Sequence, residues 1–88
     1  MGEGTAELLR AARDALAAAD GFEPGDVEEA LAPLLERLDV KPGRLYQPLR
    51  VAVTGTTVSP GIFETLSALG REATLSRIDE AVARLRRG

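Results

Sequence analysis

No cysteine and no histidine occur anywhere in these 88 residues. Disulfides, thiolate nucleophiles, zinc fingers and an imidazole general base are thereby excluded together. Tryptophan is absent too, and Phe22, Tyr46 and Phe63 are the only aromatic side chains. Core volume therefore has to come from Leu, Val, Ile and the many alanines, a composition suited to close-packed helices. No apolar run approaches the roughly 18 residues that would cross a bilayer, and the first residues lack a basic segment followed by an apolar one. These absences point to a small, non-catalytic, all-α domain with a thin core, expected in the cytoplasm.

Charge is plentiful but unevenly placed. The overall balance of −3 averages two unlike halves. Residues 1–40 hold ten carboxylates against Arg10, Arg13 and Arg37, a balance of −7, and should repel phosphate. Residues 41–88 hold eight cations (Lys41, Arg44, Arg50, Arg71, Arg77, Arg84, Arg86 and Arg87) against four carboxylates, a balance of +4. Any nucleic-acid contact is expected in this second half. Arg84, Arg86 and Arg87 have a simpler reading beside that one, as complements to the carboxyl end of a last helix. Glu28, Glu29 and Glu36 read as a solvated face, since no His, Cys or apolar setting accompanies them.

The apolar spacing predicts a bundle of about five helices in residues 5–88, with residues 1–4 as a leader. Leu9, Ala12, Leu16 and Ala19 make the first stripe, with Thr5 as N-cap and Gly21 as a left-handed stop. Glu23 and Pro24 open the second helix, with Phe22 and Val27 at staple positions. Its stripe is Val27, Leu31, Leu34 and Leu38, and Pro33 should bend or split it. After a turn at Lys41-Pro42-Gly43, residues 49–54 alternate like a strand. Leu45, Leu49, Ala52 and Val53 also share one helical face, and a lone strand would leave its ladder unpaired, so a helix ending at Gly55 is expected. Ser59 and Pro60 look like the start of a fourth helix, with Ile62, Phe63, Leu66 and Leu69 inward and Gly70 after its end. Arg71 or Thr74 opens the fifth, whose inner face is Leu75, Ile78, Val82 and Leu85 and whose outer face is Arg77, Asp79, Glu80 and Arg84.

Within the basic half, the order Pro48-Leu49-Arg50-Val51-Ala52-Val53-Thr54-Gly55, then Ser59-Pro60-Gly61-Ile62-Phe63-Glu64-Thr65-Leu66, then Leu69-Gly70-Arg71-Glu72 and a helix carrying Leu75, Arg77, Ile78, Ala81 and Val82, resembles the C-terminal anticodon-binding domain of bacterial glutamyl-tRNA synthetases, class I aminoacyl-tRNA synthetases. The resemblance implies a helical domain whose residues 41–88 face the anticodon loop of a glutamate-accepting tRNA. It implies that Arg50 reads the first anticodon base and that Ser59, Pro60 and Ile62 lie against the first and second. The catalytic domain that uses ATP and magnesium would belong to the rest of the synthetase chain, and this piece would be a non-catalytic monomer.

Each of these residues also has a purely structural reading. Arg50, set between Leu49 and Val51, could be an ion-pair partner of an acid such as Glu64. Ser59 and Pro60 are explained by helix capping and Ile62 by packing. Gln47, Thr54 and Thr56 are further candidates for RNA contact, whereas Thr54-Gly55-Thr56-Thr57 lacks the glycines and lysine of a nucleotide-binding loop. Tyr46 is expected in packing. A helical protein-interaction module, with a groove between the first two stripes, is the alternative function.

Overall fold

The computed structural model describes residues 4–55 and 61–87, and within them the chain forms five α-helices: α1 (Thr5–Ala18), α2 (Pro24–Arg37), α3 (Pro42–Thr54), α4 (Ile62–Leu69) and α5 (Arg71–Arg87). No strand occurs among the described residues, and the alternating segment at 49–54 is the end of α3. Helical spacing wins there because Leu45, Leu49 and Val53 converge on one core, where each is at most 1% exposed.

One apolar cluster serves all five helices. Leu9, Ala12 and Leu16 of α1, Val27, Leu31 and Leu34 of α2, Ile62 and Leu66 of α4, and Ile78 and Val82 of α5 join the α3 residues in it. α1 packs most extensively on α5, while α2 packs on α1 and α4. Thr74 is fully buried among these apolar groups; its hydroxyl donates to the Leu66 carbonyl at 3.3 Å, so the polar atom is satisfied and α5 is tied to α4.

Several helix boundaries differ from those that the apolar spacing predicts. Thr5 is the first residue of α1 and Gly4 takes the cap position. α1 ends at Ala18 through an extended Ala19, and Gly21 does not adopt positive φ. The turn at Asp20–Gly21 is instead held by an arginine from α5, described below. Glu23 and Asp26 form the capping box that opens α2, the Glu23 N–H donating to Asp26 Oδ2 at 3.1 Å.

α2 runs through Pro33 without a break. Pro33 is exposed, so the carbonyl that loses its intrahelical donor can be served by water, which is where a proline costs a helix least. Leu38 is no part of the core stripe. It is the C-cap and 36% exposed, and Leu35 packs inward in its place. Asp39 supplies the left-handed residue at φ 55°, and the bonds Val40 N to Leu35 O (3.0 Å) and Asp39 N to Glu36 O (3.2 Å) complete a Schellman motif.

Lys41-Pro42-Gly43 is the first turn of α3 and not a separate turn, with Lys41 as cap and Pro42 at the first helical position. Gly55 at φ 79° ends α3, and Gly70 at φ 88° separates α4 from α5 without an intervening loop. The cap residue of α4 is Gly61, not Ser59. Arg71, not Thr74, begins α5.

Candidate nucleic-acid interface

α3 places Gln47, Arg50 and Thr54 at positions i, i+3 and i+7, on the face turned away from Leu45, Leu49 and Val53. Gln47 is exposed, while Arg50 and Thr54 are half-buried. The Thr54 hydroxyl donates to the Arg50 carbonyl at 2.7 Å, which ties the two residues of this face together in the last turn of the helix.

Arg50 is the unusual member. Its Nε is buried without a hydrogen-bond partner, and its guanidinium forms no ion pair among the described residues. The structural reading offered by the sequence, a pair with Glu64, is therefore not what holds it. A guanidinium whose inner edge is enclosed and whose charge meets no carboxylate is an unfavourable arrangement for stability alone. Its planar fork of donors suits a base edge or a phosphate.

The rim beside Arg50 is aromatic. Tyr46 and Phe63 meet edge to face, with centroids 5.5 Å apart and ring planes at 86°, which fixes α4 against α3. Burial raises the Tyr46 pKa above its usual 10.0, and the nearby Glu28 carboxylate of α2 raises it further. The acidic half thus reaches the edge of the α3 face, where it would oppose a second negative charge. Tyr46 keeps the packing role expected of it.

Ile62 is only 3% exposed and belongs to the core, so its side chain turns no surface toward a ligand. Ser59, Pro60 and Thr56 lie outside the described residues. Glu28, Glu29 and Glu36 are exposed. The described residues contain no group of three or more His, Cys, Asp or Glu placed to hold a metal, and no helix among them is long and apolar enough to cross a membrane.

Two arginines do work that helical periodicity did not disclose. Arg71 Nη2 donates to the carbonyls of Ala19 and Gly21, the latter at 3.3 Å, and its guanidinium lies 5.5 Å from the centroid of the Phe22 ring. Leu69-Gly70-Arg71-Glu72 is thus a junction that fastens α5 to the α1–α2 connection. Arg77, expected on the outer face of α5, donates Nη1 to the carbonyl of Val53 in α3. Beside it, Leu9, Pro48, Val51, Ala52, Ala81 and Leu85 line a groove of about 200 Å³ between α3 and α5, with Arg77, Glu80 and Arg84 also at its edge. The cleft between α1 and α2 is different in kind: it is lined by alanines with Asp20, Asp26 and Glu29, because the large apolar stripes of both helices are spent on the core.

The sequence profile of a family described as "Anticodon binding domain" matches residues 1–82. Glutamate–tRNA ligase of Chloroflexus aurantiacus is 47% identical over 81 residues, which is 92% of this chain and 16% of that protein. The ligase of Streptomyces avermitilis is 47% identical over 85 residues, 97% of this chain and 17% of the relative. That of Desulfosudis oleivorans is 43% identical over 81 residues, again 92% and 17%. The chain thus spans about one sixth of the length of the relatives it matches. With the profile covering nearly all of its described helices, this chain belongs to the anticodon binding domain family.

Proposed function

We propose that the chain is the tRNA anticodon-loop-binding domain of a glutamate–tRNA ligase and that α3 carries its principal RNA contact, Arg50. The observation that carries this reading is the state of that guanidinium: half-buried, enclosed at Nε, and without a carboxylate among the described residues, on the helix face that it shares with Gln47 and Thr54. Arg50 would hydrogen-bond a splayed-out base of the loop, with Gln47 and Thr54 alongside. Ser59, Pro60 and Thr56 would extend the contact toward α4. Ile62 would contribute through its backbone N–H at the first helical position of α4, since its side chain is inside.

Glutamate, ATP and magnesium would be handled by the parent enzyme, acting in the cytoplasm on a glutamate-accepting tRNA. No step of adenylate chemistry is assigned to this chain, whose described residues bring together no group of three or more His, Cys, Asp or Glu. The alternative of a protein-interaction module would use the cleft between α1 and α2, which is lined by Ala15, Ala18, Ala19 and Ala30 with Asp20, Asp26 and Glu29, while the large apolar stripes of both helices face the core.

The test is an NMR titration of the 88-residue chain with a tRNA anticodon stem-loop. Shifts are expected at Gln47, Arg50 and Thr54, with affinity reduced about tenfold in Arg50→Ala, the scale of one charged hydrogen-bonding contact. Shifts confined to α1 and α2, or equal affinity for the variant, would remove Arg50 from the site.

A further inference from the structure

The last four carbonyls of a helix lack intrahelical donors, and together they carry roughly half a negative charge. At the end of α3, the Val51 carbonyl is taken by the Gly55 N–H at 2.9 Å. The Val53 carbonyl is taken by the guanidinium of Arg77, which reaches across from α5. This is also the turn in which the Thr54 hydroxyl holds the Arg50 carbonyl. The helix end beside the candidate RNA contact is therefore fastened from within by Thr54 and from outside by Arg77.

A polyanion approaching Arg50 and Thr54 meets the negative end of α3. An uncovered carbonyl there would repel phosphate, and a frayed last turn would let Arg50 and Thr54 drift apart. Arg77 answers both problems with one side chain, because its charge sits on the carbonyl end while its hydrogen bond fixes the turn. Resting on the RNA-binding reading given above, we infer that Arg77 is a positioning residue of the RNA interface, which caps α3 through Val53 and covers the negative helix end without touching RNA. Arg84, seven residues on and on the same face of α5, is exposed and bonds to no carbonyl among the described residues, which makes it the natural comparison.

The experiment measures binding of the 88-residue chain to an anticodon stem-loop RNA over a salt series, for wild type, Arg77→Met and Arg84→Met, with amide spectra and a thermal melt of each. Arg77→Met is expected to weaken binding about threefold to tenfold, the range for losing a charged group at a helix end, with the slope of log affinity against log salt unchanged. The amide signals of Thr54 and Gly55 should move. A slope shallower by about 0.7 would mean that Arg77 neutralises a phosphate directly, which overturns the inference. Affinity equal to wild type overturns it as well, as does an equal loss in Arg84→Met with the Thr54 and Gly55 signals unmoved in both variants. Should the methionine variant fail to fold, Arg77→Gln, which removes the charge and shortens the reach toward the Val53 carbonyl, decides by the same criteria. Wild-type protein that binds no RNA defeats the functional reading itself, and a tight wild-type complex indifferent to Arg77 defeats only the inference.

Discussion

Residues 1–40 and residues 41–88 differ in sign of charge but share one core. The first segment is acidic and contributes Leu9, Leu16, Leu31 and Leu34 to the interior; the second is basic and contributes Leu45, Leu49, Leu66 and Ile78 to the same cluster. α1 of the acidic segment packs chiefly on α5 of the basic one. Surface charge and packing are thus decided by different residues. A domain can concentrate its cations in one segment of the sequence without dividing its hydrophobic core.

The strongest way to break this comparison is to damage the acidic segment and watch the basic one. Leu9→Ala removes a fully buried side chain of α1 and should cost about 2–5 kcal/mol. Urea titration followed by circular dichroism should show one transition at lower denaturant, with RNA binding lost along the same curve. Two separated transitions would mean that the halves are independent after all.

A smaller effect is expected from Arg71→Ala, which strips the Ala19 and Gly21 carbonyls of their donor and Phe22 of its cation. Stability should fall by about 1–3 kcal/mol. Affinity for RNA, measured where the variant is still folded, should stay within about twofold of wild type, since this guanidinium faces the α1–α2 connection. A large loss of affinity would show that a cation tied to the acidic segment also serves the ligand.

The smallest effect belongs to Glu28 and Tyr46, where the two segments meet. Burial first and Glu28 second keep the phenol protonated above its usual 10.0, so the folded chain holds that proton more tightly than the unfolded one. The stability linked to it is intact below pH 10.0 and is lost as pH rises through the folded pKa. Glu28→Gln should lower the Tyr46 pKa only in part, read by tyrosinate absorbance, because the larger cause remains. A pKa returned fully to the usual value would reverse the order of the two causes.

The helices themselves were largely legible. Residues such as Leu9, Leu16, Val27, Leu31, Leu49 and Ile78 are spaced so that one face per helix is apolar, and that pattern alone locates the core. Boundaries were less so. Gly21 looked like a stop and is not one, because the α1–α2 turn is held from fifty residues away by Arg71; Leu38 kept the stripe spacing yet fell beyond the Schellman turn at Asp39. For the site, Arg50 could be singled out as a charge in an apolar setting. Arg77 could not, since periodicity placed it correctly on an outer face and says nothing of how far a guanidinium reaches.

The pairing of α1 with α5 has a consequence for synthesis. The partner that covers most of the apolar face of α1 is the final helix of the described chain, so Leu9, Ala12 and Leu16 emerge from the ribosome well before Ile78 and Val82 exist to meet them. During that interval only α2 and α3 can shield them, and the α1–α2 cleft is lined largely by alanines. Nascent chains stalled before residue 71 should remain sensitive to protease throughout α1, and protection should appear in one step once α5 clears the exit tunnel.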